Sequence, residues 1–297
     1  MNALLTIDRI DGILRAALWK DGDLRDLLCA KIDSPDLTGA IVAGRVARLM
    51  PSAKAAWIEG GIEGKIYVEN VEGLKSGDEV ILRVKKTARQ GKAHAGALLS
   101  ADEAKLFDPK ETGLLFRPSL FERVMALCGN EPIGAIVVAD KEDHAACAAH
   151  LKAKHPQKSG VLKPHGKSPI PAEIDDLWEE LREPRVDLKG GGSLVIESTE
   201  ALVAIDVNAG EAANPLAVNL IAAGEIARQI RLRNLSGIIV VDALKMRARP
   251  DQSKLLNALK RATAGDPAGV NVFGMTKLGL VEMTRQNVGS SLNDLRV

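Results

Sequence analysis

Ala201-Leu-Val-Ala-Ile-Asp206 and Gly237-Ile-Ile-Val-Val-Asp242 share one form, an apolar run that ends in aspartate. Short apolar runs rich in Val and Ile read as buried strands. Between them, Asn214-Pro215 supplies a helix cap followed by proline in the first turn. Leu216, Leu220, Ala223, Ala227 and Ile230 then recur on one face to about Arg233. A strand–helix–strand unit of this kind closes right-handed and sets its two strands parallel. Both aspartates then stand at one carboxyl-terminal sheet edge, where open α/β sheets take their ligands. Carboxylates brought together repel, and a hard cation relieves the repulsion. Magnesium favours one or two carboxylates completed by water and phosphate oxygens. Asn208, two residues past Asp206, points to the same side and can orient a carboxylate or a metal-bound water. A lone strand-end aspartate reads equally well as a loop cap; the pairing is what favours a metal site. Spacing alone does not name a substrate.

The rest of the chain is legible in blocks. Ser193–Glu197 is a strand joined to the first aspartate strand through Ser198-Thr199-Glu200, and about Ser253–Ala262 and Val270–Phe273 read as a helix and a strand. Upstream, Leu120–Cys128 is helical, Ala135–Val138 is a buried strand, and Glu142–Lys154 is an alanine-rich helix. Pro156–Pro171 is a basic loop containing Lys158, Lys163 and Lys167, read as a solvated linker. Glu173–Arg182 is an amphipathic helix with Ile174, Leu177, Trp178 and Leu181 on one side. Residues 36–100 carry five short strands punctuated by glycine turns, the pattern of a small closed barrel. Residues 3–32 read as three strands, with Asp21-Gly22 as a hairpin turn.

Bulk properties exclude more than they assign. The 297 residues suit about two domains, and 46% hydrophobic content provides ample cores. With 40 basic and 39 acidic residues, any nucleic-acid surface must be local. Cys29, Cys128 and Cys147 form no CxxC pair, which points to a reducing compartment without disulfides or a cysteine zinc site. No apolar run reaches the ~18 residues of a membrane span, and residues 1–11 lack a signal pattern, so the cytoplasm is expected. The histidines form no HxH or HxxxH pair and are expected at the surface. Gly190-Gly-Gly192 reads as a flexible connector. Arg228, Arg231 and Arg233 suit the helix dipole, with some available to RNA.

Three segments together are specific. Gly191–Asn208, Glu225–Asp242 and Gly279–Gln286 resemble, in order and spacing, the catalytic core of the ribonuclease E/G family. The resemblance implies a mixed α/β (α+β) fold: an RNase H-like subdomain interrupted by an OB-type β-barrel, followed by a DNase I-like α/β catalytic subdomain. The corresponding boundaries are 1–35 and 101–188 for the RNase H-like parts, 36–100 for the barrel and 189–297 for the catalytic part. It implies an endoribonuclease that hydrolyses single-stranded RNA with Mg2+, leaving 5′-phosphate and 3′-hydroxyl ends. Asp206 and Asp242 would hold the metal and Asn208 would support them. Trp57, in Ser52–Gly61, matches a barrel aromatic that stacks on bases, Tyr67 falls at or beside a second, and Lys92, in Arg89-Gln-Gly-Lys92, matches a lysine near the scissile region.

The sequence also departs from the family pattern. No segment between Ser100 and Phe116 resembles the sensor for a 5′-monophosphate, and the Cys-Pro-x-Cys zinc-link motif is missing, so a monomer or homodimer without zinc is expected. Gly269 stands where a basic residue is common, and Lys245 where an acid is common. These departures leave open an alternative, an RNA-binding protein of the same fold with weak or no turnover. A DNA-directed phosphodiesterase is a third reading.

Overall fold

Asp11-Gly12 and Asp21-Gly22 each place two successive residues at positive φ, the geometry of a two-residue hairpin loop. They join β1 (Ala3–Ile10), β2 (Ile13–Lys20) and β3 (Asp23–Lys31) into an antiparallel meander. The computed structural model describes residues 2–32, 36–88, 92–108, 111–129, 131–166, 173–211 and 214–295. The chain divides into two compact units, one of Met1–Ser34, Phe121–Gln286 and Ser290–Val297, the other of Pro35–Leu120 and Asn287–Gly289.

The second unit is the barrel. Its strands are β4 (Ile41–Met50), β5 (Ala55–Glu59), β6 (Ile66–Glu69), β7 (Glu79–Lys86) and β8 (His94–Leu98). They pair in the order β4-β5-β6-β8-β7 and return to β4, so the five-stranded, OB-like barrel is closed. Val42, Ile58, Ile66, Val68, Leu82 and Val84 fill it, each fully buried. Gly60 shows how tightly: a Cβ there would lie 2.4 Å from Val42 Cγ1. Here the structure corrects two expectations. Ser100 caps a short helix, α1 (Ala101–Ala104), and β9 (Gly113–Phe116) then adds to β4, with Leu114 opposite Val42. The barrel unit therefore runs to Leu120 rather than ending at Ser100, because residues 113–116 make their backbone bonds to the barrel. His94 is not at the surface. It is buried, with Nδ1 accepting from the Ala88 amide at 3.0 Å and Nε2 2.8 Å from the Glu63 carbonyl oxygen.

In the first unit, α2 (Leu120–Cys128) leads to β10 (Ile133–Val138), which pairs in parallel with β1 and completes a four-stranded sheet. α3 (Lys141–Lys154) follows, capped by the Asp140 side chain. The first part of the basic loop packs back onto β10, where the Lys163 amide donates to the Ile136 carbonyl at 2.8 Å. Lys167 and the rest of that loop to Pro171 lie outside the described residues. α4 (Glu173–Glu180) sets Ile174, Trp178 and Leu181 against Ile13, Ala17, Trp19, Leu24 and Leu27. Leu232, Leu292 and Leu295 close the same cluster.

The remaining strands are β11 (Arg185–Asp187), β12 (Ser193–Ser198), β13 (Leu202–Asn208), β14 (Gly237–Asp242), β15 (Val270–Met275) and β16 (Leu280–Arg285). They form a six-stranded sheet in the order β11-β12-β13-β14-β16-β15. α5 (Pro215–Leu232) connects β13 to β14, and α6 (Arg249–Thr263) connects β14 to β15. Both helices pack on the face that carries Val203, Ile205, Val207, Ile239, Val241, Val281 and Met283. β14 is apolar up to Asp242 yet buried on one face only, and Ile238 on the other is 52% exposed. Arg231 does not face RNA: its guanidinium donates to both oxygens of Asp26 on β3, Nε at 2.6 Å, with both residues buried. Arg233 is buried too, donating to Gln229 Oε1 and the Glu183 carbonyl, each at 2.7 Å. Such pairs fix one helix register, since a buried charge deprived of its partner costs about 3–5 kcal/mol.

Candidate functional site

The inward apolar residues of β13 and β14 set the site. Val203, Ile205 and Val207 are buried under α5 and α6, so the alternation of a strand turns Asp206 and Asn208 to the open face. The same alternation on β14 buries Ile239 and Val241 and exposes Asp242. The two strands are parallel, and Asp206 and Asp242 are direct register partners. Neighbouring strands lie about 4.8 Å apart, which brings the two carboxylates side by side. Asn208 Nδ2 donates to Asp206 Oδ2 at 2.9 Å. The structure thus brings together the three residues expected at the catalytic site.

Gly190-Gly-Gly192 is an ordered turn rather than a flexible connector. All three residues have positive φ, at 92°, 97° and 88°, and the Gly191 amide donates to the Leu188 carbonyl at 3.1 Å. A Cβ at Gly192 would sit 2.5 Å from the Asn208 carbonyl oxygen. Glycine at this point lets the turn press against the backbone of Asn208 and hold it. The sequence reading missed this role, and it also missed Asn219. That residue is fully buried on α5, where it donates to the Leu244 carbonyl at 2.9 Å and accepts from the Leu244 amide at 3.0 Å. An asparagine on the apolar face of a helix was the available signal.

Among the described residues no group of three or more His, Cys, Asp and Glu side chains is placed to hold a metal. The donor set is two carboxylates and one amide. That set suits magnesium, which keeps most of its water and recruits phosphate oxygens, and does not suit a structural zinc or an all-protein calcium cage. The site is an open sheet edge. A cleft of about 1030 Å³ lies elsewhere in the same unit, lined by residues such as Arg25, Arg185, Lys189 and Arg228, and takes in none of Asp206, Asn208 or Asp242.

On the barrel, Trp57 and Tyr67 are cross-strand register partners with ring centroids 5.2 Å apart. Neither belongs to the barrel's core cluster. Ala56 and Ile58 point inward, which leaves Trp57 half-buried on the outer surface. The competing reading of Trp57 as a core aromatic is therefore excluded by its place in the strand. Lys92 is exposed just before β8, and the preceding Arg89-Gln-Gly91 lies outside the described residues.

The profile of the ribonuclease E/G family matches residues 98–288, which include β13, α5, β14 and β16. The chain belongs to the ribonuclease E/G family. Ribonuclease E of Nostoc is 41% identical over 147 residues, 46% of this chain and 21% of the relative. Ribonuclease E of Escherichia coli is 30% identical over 280 residues, 85% of this chain and 26% of the relative. Ribonuclease G of Escherichia coli is 31% identical over 185 residues, 59% of this chain and 38% of the relative. This ribonuclease E/G-family chain thus spans about a fifth to two fifths of the length of these relatives. Within the first unit, the family segment includes all six strands of the sheet that presents the aspartates.

Proposed function

We propose that this chain is an endoribonuclease that hydrolyses single-stranded RNA with magnesium, producing 5′-phosphate and 3′-hydroxyl ends. The observation that carries the reading is the register pairing of Asp206 with Asp242, with Asn208 bonded to Asp206. An exposed sheet edge suits a polymer that must lie across the site, whereas small substrates are usually enclosed. The names of the relatives, ribonucleases E and G, supply the substrate class.

Asp206 and Asp242 are the residues that would hold the ion, and Asn208 keeps the Asp206 carboxylate turned toward its partner. Held there, magnesium would supply an activated water and offset the charge that builds on the phosphate. Trp57 and Tyr67 offer stacking faces to unpaired bases, a contact that tolerates any sequence. Lys92 contributes a phosphate contact. With 101–120 given over to α1, β9 and their connections, we assign no reader of a 5′-monophosphate, and the enzyme enters RNA internally. No described helix is long and apolar enough to cross a membrane, and the three cysteines are free and buried, which supports a reducing, cytoplasmic setting.

The deciding experiment is magnesium-dependent cleavage of a short, unstructured, AU-rich RNA by wild type and Asp206→Asn, with end-group analysis of the products. Loss of cleavage in a variant with wild-type melting supports the assignment. Full activity in that variant would remove Asp206 from the catalytic site, and no cleavage by the folded wild type would leave an RNA-binding protein.

A further inference from the structure

Four cations surround the sheet edge that carries Asp206 and Asp242. Lys245, Arg247 and Arg249 follow directly from β14, and Lys277 lies in the turn between β15 and β16. That turn abuts the site, because Leu280, three residues beyond Lys277, is the register partner of Asp242. The turn is closed by Thr276, whose amide donates to the Leu280 carbonyl at 2.8 Å. All four cations are exposed, and none has a hydrogen bond or ion pair with a described residue. Elsewhere on this surface cations are commonly paired, as in Lys254 with Asp251 or Arg228 with Glu225. The chain has a formal net charge of only +1, so this local excess is not a reflection of overall composition.

The loop is also built to present these charges. Asn219, buried on α5, grips both the amide and the carbonyl of Leu244. Gln252 on α6 donates to the Met246 carbonyl at 3.0 Å. Leu244 and Met246 pack against the core beneath the sheet. With alternate residues anchored inward, Lys245 and Arg247 are turned outward and held there. Exposed, unpaired lysine and arginine side chains on a fixed backbone suit phosphate oxygens, and the guanidinium fork matches them in two-point fashion.

We propose that Lys245, Arg247, Arg249 and Lys277 form a phosphate track that carries the RNA strand across the edge beside Asp206 and Asp242. The proposal rests on the endoribonuclease reading for the identity of the strand. It gives Lys245 a role in place of the acid common at that position: it grips substrate instead of adding a third carboxylate. An acidic protein segment would be the competing occupant. RNA is favoured because the track is continuous with a pair of acids suited to a phosphodiester.

The test is binding of a single-stranded oligoribonucleotide, measured by fluorescence anisotropy in EDTA so that nothing is cut, across a salt series. Each phosphate contact contributes about 0.7 to the slope of log K against log salt for a single strand. The variant Lys245→Gln/Arg247→Gln/Arg249→Gln/Lys277→Gln should lower that slope by roughly 2–3, with weaker binding at low salt. The single change Lys245→Gln, should the fourfold variant misfold, should lower it by about 0.7. An unchanged slope and affinity in a folded variant overturns the track. Asp206→Asn, run alongside, should retain the wild-type slope while losing cleavage. If the wild type cuts no RNA but the track variants lose slope, the endonuclease assignment falls and the track stands.

Discussion

Asp206 and Asp242 sit opposite one another in parallel register, the last acids of two strands whose inner faces are packed under the same two helices. Their closeness is imposed by the core, so changing either charge leaves the scaffold intact. Asn208→Ala should lower cleavage about 10–100-fold, the usual cost of losing a group that orients a ligand. Asp206→Asn and Asp242→Asn should each cost more than that. All three are surface changes and should shift stability by no more than about 0.5 kcal/mol. Single-turnover cleavage and thermal melting on the same preparations check this; a large drop in melting temperature would mean that the acids are structural.

Trp57 and Tyr67 form an outward aromatic pair on the barrel. Trp57→Ala should weaken binding of single-stranded RNA by about 1–3 kcal/mol. It should cost only about 0.5–1.5 kcal/mol of stability, the contribution of one aromatic pair. A stability loss of about 3–5 kcal/mol with unchanged RNA affinity would contradict the stacking role.

Arg231 and Asp26 tie α5 to β3 through a buried two-point ion pair. Arg231→Ala should destabilise the first unit by about 3–5 kcal/mol, because Asp26 would be left buried and unpaired. The double replacement Arg231→Met/Asp26→Leu should recover most of the loss. Denaturant unfolding of the three proteins tests this, and a single variant as stable as wild type would show that the pair contributes nothing.

His150 carries a buried Nε2 that has no hydrogen-bond partner among the described residues. Burial lowers its pKa below the ordinary histidine value, with Lys154 and His155 acting in the same direction and Glu122 opposing them. The folded protein therefore takes up this proton less readily than the unfolded chain. Its contribution to stability is complete above the unfolded value of about 6.5 and is lost as the pH falls toward and through the lower folded value. His150→Phe, beside Phe121, should flatten the dependence of melting temperature on pH in that window. An unchanged pH profile in the variant would remove His150 as its source.

The legibility of the fold followed the chemistry of each element. β13, α5 and β14 could be read directly, because uninterrupted apolar runs and the Asn214-Pro215 cap are signals carried by adjacent residues. β16 was visible only as part of a family motif. Its inward positions are Val281, Met283 and Arg285, and the arginine breaks the apolar alternation. Arg285 can be buried because Asp266 accepts from its Nε at 2.8 Å and Asn234 from its Nη1 at 2.8 Å, partners that no local pattern reveals. β11, with Arg185 and Asp187 around a single valine, exists only through its ladder with β12. At the site, Asp206, Asn208 and Asp242 were readable because period-two alternation is local. Asn219 was not, since its partner is the backbone of Leu244, twenty-five residues away.

The cluster around Trp19 has a consequence for synthesis. Ile13, Ala17, Trp19, Leu24 and Leu27 leave the ribosome in the first hairpins, yet they are covered by Ile174, Trp178, Leu181, Leu232, Leu292 and Leu295. Their oily face must therefore wait, wet and adhesive, until those later residues have been made. Unfinished chains that expose such surface are prone to aggregate and to be held by chaperones. A nascent chain stalled before Ile174 would keep that face uncovered, so that strands β2 and β3 report whether the residues that cover them have arrived.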